Sequence, residues 1–582
     1  MCTLLQTMKR LQVFRNKPDL SFKFTFWLIV LFHAINNCIW LRDTTSINGT
    51  DVPNHLLFQL KFHHALNNLL SNPHLFILIK LKKILELMNM PMSSSDCIYW
   101  SNFVYLSSTV FSLFFGNFLF VVKITMLIYF VILLFSVYFI AKTILDRQTG
   151  IIAMFIVSIY PLIFESSRQY SLDFPLTAVV TLSVLLLLKT IYFTNTFFSV
   201  LLGISSGIGM LIKGQFILFF IWPLIVFLSR SFLIKSEKKD FKIIIFNVII
   251  FFAIAAAIAS IWWFNKLGSL GAGFIEHISS NKFLESGTVN KIYSLDFYLY
   301  HLRALISSSI GYIFSGIFII SLFYLIKYRF KYRVLIMTWI LIPFATFSLL
   351  FVIKHDRFLM PILPAIAIVS ALGIRQLKSK ILKRSVLILI IFAGLIQYFV
   401  LSYFYGWYED NAKIMNIPPI FHSRTCYAAK PYYDSEKLTL TREATDTITK
   451  DYGKRGKCKI GTIAFSGRIC PNEILYWLYY WNNDFEVMDW LENYVSFSKE
   501  LPGLRYIIFI SYIDDGFIWP KGDNFLKLVS RYTDLRRFES YPDWHENFKN
   551  LSAYESKFHL LKKIDFSNKI RWYIYKNKNI DD

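Results

Sequence analysis

The side chains in this chain that suit a reaction sit at the ends of apolar runs. Asp43 and Asp51 lie on a polar, turn-rich stretch just after the first run, in LRDTTSINGTDVPNHLLFQL. Arg168 ends a later run in ESSRQYSLDFPL, and Lys213 ends another in GMLIKGQF. Lys354 and Arg357 follow a third in IKHDRFLMPILPA. A carboxylate just outside an apolar segment is placed to take a proton from a hydroxyl. Cations at span ends are costly unless paired or solvated, so they are functional candidates, and Arg and Lys are the usual partners of a phosphate. Each residue also has a structural reading. Asp51, close before Pro53 at the mouth of an amphipathic helical pattern, suits a helix N-cap. Asp43 can pair with Arg42. The cations can snorkel, or pair with nearby acids, Arg168 with Asp173 and Arg357 with Asp356. Lys123, near the outer end of the second run, is a weaker member of the group. His55, His63, His64 and His355 have poor ligand spacing, and the outer loops hold no DxD, so neither a metal nor a cofactor is expected.

Composition narrows the class. Of 582 residues, 55% are hydrophobic and 18% aromatic, with a mean hydropathy of +0.46. That describes a polytopic membrane protein. Only 17% are charged, yet the formal net charge is +24. The basic residues gather in short loops between apolar runs, the positive-inside pattern, and no basic groove interleaved with aromatics suggests nucleic acid. The six cysteines form no CxxC pair. Cys458 and Cys470 flank an expected strand and would suit a disulfide in an oxidising compartment; Cys426 leaves the connectivity open.

The elements that must position the candidates follow from the alternation of apolar and basic stretches. The basic segment 1–23 places the N-terminus in the cytoplasm. Phe24 to Leu41 reads as a retained first span, which puts Asp43 and Asp51 outside. The spacing predicts about eleven transmembrane helices between 24 and 404, the others being 118–141, 150–164, 174–188, 197–212, 215–228, 243–264, 304–326, 334–353, 358–374 and 385–404. Two large outer loops, 42–117 and 265–303, interrupt them. Within the first, Asn54 to Leu70 and Pro73 to Met88 are amphipathic helices too polar to span, expected along the membrane face. Arg168, Lys213, Lys354 and Arg357 then share the outer face with the acids. Residues 405–582 switch composition to an extracytoplasmic soluble α/β domain, with strands at 459–465 and 506–512, a closing hairpin at 558–566 and 569–575, and helices at 472–481 and 524–532.

Taken in order, several stretches resemble the C-superfamily (GT-C) of membrane glycosyltransferases, in the protein O-mannosyltransferase and aminoarabinose transferase branch. They are the acid after the first span, SRQYSLDFPLTAVVTLSVLLLL, GISSGIGMLIKGQFILFFIWPL and KHDRFLMPILPAIAI, and the resemblance covers roughly 24–404. It implies inverting transfer of a sugar from a polyprenyl-phosphate donor to a protein, lipid or glycan acceptor on the extracytoplasmic face. The family's catalytic acid lies in the first outer loop, usually as an Asp-Glu pair. Here Val52 follows Asp51, so Asp51 is the match and Asp43 the fallback. Arg168, Lys213, Lys354 and Arg357 would hold the donor phosphate. The alternatives are a transporter or flippase of lipid-linked sugars, which would show inverted repeats or helices broken at mid-membrane, and a polysaccharide polymerase or ligase. The sequence shows neither repeat nor break, and it names no sugar and no acceptor.

Overall fold

Apolar runs become helices because a backbone shielded from water must bond to itself. The computed structural model describes residues 20–42, 51–72, 77–89, 101–116, 119–233, 238–264, 266, 294–327, 332–352, 354–404, 408, 434–452, 458–464, 485–489, 505–512, 558–567 and 570–578. Two compact units divide the chain: Met1–Asp43 with Phe62–Lys430, and Thr44–Lys61 with Pro431–Asp582.

The helices, in order, are α1 (Leu20–Arg42), α2 (Asp51–Ser71), α3 (Ile77–Asn89), α4 (Phe103–Phe115), α5 (Leu119–Ile124), α6 (Met126–Ile144), α7 (Arg147–Ser158), α8 (Pro161–Ser166), α9 (Asp173–Lys189), α10 (Thr196–Ile212), α11 (Phe216–Leu233), α12 (Lys238–Trp263), α13 (Leu295–Ala304), α14 (Tyr312–Lys327), α15 (Arg333–Leu349), α16 (Leu363–Gln376), α17 (Lys380–Tyr403) and α18 (Asp434–Tyr452). Among the described residues, each stretch expected to span is mainly helical. Among the described residues, six helical segments are long and apolar enough to cross a membrane, or seven if one bent pair counts as a single span. The expected span 304–326 is that pair. A π-helical turn, Leu305–Ser309, ends the first arm, and α14 leaves it at 117°. The expectation of unbroken helices is corrected here: Gly311 takes φ +86, which only glycine adopts freely, and it reverses the chain. The run 150–164 also splits, into α7 and α8, at Pro161, whose ring cannot continue a helix interior.

Local chemistry places the ends. Asp146 caps α7, accepting from the Thr149 amide at 2.8 Å and its hydroxyl at 2.7 Å; Arg375, from the end of α16, lies 2.5 Å from the same carboxylate. Lys142 and Lys189 both lie over the Phe139 ring. These groups mark one end of the bundle. Helix α9 runs from there to Asp173 at the opposite end, where α10 also finishes.

α10 is held closely against α12. A Cβ on Gly203 would lie 2.9 Å from Ile254 Cβ, and one on Gly207 would lie 2.6 Å from Ile258 Cβ, so glycine lets the two backbones approach. The last turn of α10 is fixed further. Trp263 Nε1 donates to the Met210 carbonyl at 2.9 Å, and the Ser101 hydroxyl donates to that of Leu211 at 2.8 Å. Met88, Leu211, Trp262 and Trp263 pack as one cluster. Lys213 leaves the helix just beyond this anchor.

In the other unit, a five-stranded sheet has the order β2-β1-β3-β5-β4, with β1 (Cys458–Ala464), β2 (Phe485–Asp489), β3 (Tyr506–Tyr512), β4 (Phe558–Ser567) and β5 (Ile570–Asn577). β1 is parallel to β2 and β3; β3–β5 and β5–β4 are antiparallel. Asp451 of α18 sits 2.8 Å from Lys576 and accepts from the Tyr506 hydroxyl at 2.5 Å. The helices expected at 472–481 and 524–532 fall outside the described residues, as does Cys470.

Candidate functional site

Asp173 is the acid of the first turn of α9, where the helix dipole favours a carboxylate. It is 5% exposed. Lys213, on extended backbone just past α10, places Nζ 2.7 Å from Asp173 Oδ1. Arg357, on the short 3-10 turn Asp356–Ile362 that leads into α16, places Nε 3.5 Å from Asp173 Oδ2, an ion pair longer than a good hydrogen bond. The Phe358 ring lies beneath both: Lys213 Nζ is 5.4 Å and Arg357 Cζ 5.9 Å from its centroid. Three elements far apart in sequence thus bring two cations onto one buried carboxylate, against an aromatic face. With two positive groups and one negative, the cluster carries net positive charge, which suits an anion at a membrane surface.

The remaining sequence candidates lie elsewhere. Arg168 is fully buried; its Nε donates to Asn37 Oδ1 at 2.9 Å, one terminal nitrogen to the Ser402 hydroxyl at 2.9 Å and the other to the Tyr398 hydroxyl at 2.6 Å. Trp40, Phe164 and Tyr398 also face its guanidinium. It joins α1 to α17 and does not share Asp173 with Lys213 and Arg357. Lys354 is buried too, donating to the Phe347 and Ser348 carbonyls at 2.8 and 2.7 Å. It closes the end of α15, where carbonyls lack helical partners. Burial lowers its pKa to about 8, because the charged form loses water. The two ion pairs that the structural reading of these cations offered do not form. Asp173 holds Lys213 and Arg357 rather than Arg168, and the Asp356 carboxylate receives the Ser308 hydroxyl at 3.1 Å.

Asp51 opens α2 and belongs to the unit that contains the sheet; its side chain and all of Asp43 lie outside the described residues. His63 Nδ1 lies 2.7 Å from the Ser112 hydroxyl, and its ring stands edge-on to that of His64. Among the described residues, no group of three or more His, Cys, Asp or Glu is placed to hold a metal ion. The residues that sequence reasoning missed are Asp173, as the hub, and Phe358. An acid at the end of a span is as costly as a cation there, and that was the available signal.

The model of the dolichyl-phosphate-mannose-protein mannosyltransferase family matches residues 103–263, the segment that carries Asp173 and Lys213. No curated protein matches in a sequence search. The fold is similar to ArnT from Cupriavidus metallidurans bound to undecaprenyl phosphate, with a TM-score of 0.58 at 12% identity over 94% of this chain and 97% of that one. For apo ArnT the TM-score is 0.56 at 11% identity, over the same shares of each chain. AglB, the oligosaccharyltransferase of Archaeoglobus fulgidus, gives a TM-score of 0.47 at 12% identity over 84% of this chain and 70% of that one.

Proposed function

Taking this chain as a GT-C member related to the mannosyltransferase and ArnT branch, we propose that it moves a sugar from a polyprenyl-phosphate donor to an acceptor on the extracytoplasmic face, with inversion. The carrying observation is the convergence of Lys213 and Arg357 on Asp173 above Phe358. The undecaprenyl phosphate bound by ArnT belongs to the lipid class proposed here as the donor carrier.

The acceptor hydroxyl gives its proton to the Asp51 carboxylate as its oxygen attacks the anomeric carbon. The bond from that carbon to the phosphate oxygen breaks, and the oxygen leaves with the electron pair. Negative charge grows on the lipid phosphate in the transition state, where Lys213 and Arg357 stabilise it. Asp173 orients both cations before the donor arrives. Arg168 and Lys354, whose donors are committed to protein groups, support the fold around this site. On the positive-inside reading of the sequence, this end lies outside and the basic end, with Lys142, Lys189 and Arg375, in the cytoplasm.

The test is a panel of radiolabelled polyprenyl-phosphate sugars offered to the purified protein, scored for release of lipid phosphate. Wild type should consume at least one donor. Asp51→Asn should lose about 10²- to 10⁴-fold, the usual contribution of a general base, while still inserting and folding. Full activity in that variant removes Asp51 from the reaction.

A further inference from the structure

The break in the helix pair α13–α14 lies against the segment that carries Arg357. Lys354 and His355 precede the 3-10 turn and Asp356 opens it, all outside any α-helix, and α13 with its π turn contacts each of them in succession. The Phe297 ring lies under Lys354 Nζ, 3.9 Å from the centroid. His301 Nε2–H donates to the His355 carbonyl at 3.3 Å. The Ser308 hydroxyl lies 3.1 Å from Asp356 Oδ2 and shares its proton with the Ala304 carbonyl, also at 3.1 Å. Phe297 and His301 are four residues apart, on one helical face, and Ser308 follows inside the π turn. His301, Ser308, Lys354 and Asp356 are all buried. The next residue is Arg357, on Asp173.

The break is a built feature. The π turn closes with Ile310 N–H on the Leu305 carbonyl at 3.2 Å. The Ser315 hydroxyl reaches the Ile306 and Gly311 carbonyls at 3.0 and 2.9 Å, so the Ile306 acceptor at the bend is occupied. Gly311 faces Gln397, whose Oε1 would lie 2.2 Å from an added Cβ. A straight helix through 295–327 would carry α14 on past the 354–356 segment. The π turn stops the first arm where Ser308 meets Asp356, and π turns occur often at functional sites.

We propose that Ser308 and His301 are positioning residues that fix the backbone at 355–356 so that Arg357 is aimed at the donor phosphate. This rests on the donor-phosphate reading of Arg357. Arg357 is a long, flexible cation, and its value to a reaction depends on being held before the substrate arrives.

The experiment is a double-mutant cycle of Ser308→Ala with Arg357→Ala, read as donor kcat and KM. Ser308→Ala alone should cost about tenfold in kcat/KM, roughly 1.4 kcal/mol, and Ser308→Thr, which keeps the hydroxyl, should restore most of it. In the Arg357→Ala background Ser308→Ala should have no further effect, because the group it positions is gone. His301→Phe should behave like Ser308→Ala, which covers the case of one variant folding poorly. If Arg357→Ala is damaging but Ser308→Ala is silent, or costs as much in both backgrounds, the positioning role is overturned while the phosphate reading stands. If Arg357→Ala leaves donor kinetics untouched, the phosphate reading and this inference fall together.

Discussion

Asp173→Asn separates what the carboxylate does for the empty protein from what it does for the donor. In wild type, Lys213 Nζ is 2.7 Å from Oδ1, and the side chains are only 13% and 7% exposed. Removing one partner of such a pair leaves an uncompensated charge and costs about 3–5 kcal/mol. Asparagine still offers one oxygen to Lys213, so the loss should fall near the low end, about 3 kcal/mol. The same change leaves Lys213 and Arg357 without their shared counter-charge, so an anion entering the site should gain more. Thermal unfolding of purified protein in detergent is the assay, with and without polyprenyl phosphate. The variant alone should melt well below wild type, and saturating lipid phosphate should raise its melting temperature by more than it raises that of wild type, following the linkage between binding and stability. An unchanged melting temperature would mean that Asp173 is not the electrostatic hub. A lipid-phosphate shift no larger than in wild type would mean that the anion does not replace the carboxylate.

Gly207→Leu should destabilise by about 1–3 kcal/mol and disturb the end of α10, because even a Cβ would lie 2.6 Å from Ile258 Cβ; melting temperature and donor KM report both effects. Lys354 gives a pH signature. Its pKa falls from 10.5 unfolded to about 8 folded. Between those values the unfolded chain binds more protons, so the stability of wild type relative to Lys354→Met should rise with pH across that window. A melting difference that stays flat from pH 7.5 to 10 would refute the buried charge.

Much of this arrangement is legible in sequence because membrane insertion is a local problem. Apolar runs, basic loops and the odd cations at span ends all follow from the cost of charge in lipid. What is not legible is partnership. Arg168 and Arg357 look alike as arginines at span ends. One is enclosed by Asn37, Tyr398 and Ser402, at sequence separations of 131, 230 and 234, while the other meets Asp173 where the 3-10 turn Asp356–Ile362 packs on α9. Asp173 looked like the natural partner of nearby Arg168, and only packing assigns it to Lys213, 40 residues on. The break at Ile310 was hidden because LISSSIGYIFSG is apolar enough to read as continuous, and serine is tolerated inside spans. In the sheet unit, β3 is a run of β-branched and aromatic residues and stood out at Tyr506–Tyr512, whereas the five-residue β2, carrying Glu486 and Asp489, gave no comparable pattern.

The most direct measurement of the central claim is lipid-phosphate release from an accepted polyprenyl-phosphate sugar by wild type, Lys213→Ala and Arg357→Ala, each verified as folded. The cluster at Asp173 predicts losses of about 10²- to 10³-fold in kcat for Lys213→Ala, the scale for removing one group that stabilises developing charge, and a clear loss of donor use for Arg357→Ala. Wild-type donor kinetics in both variants would contradict it.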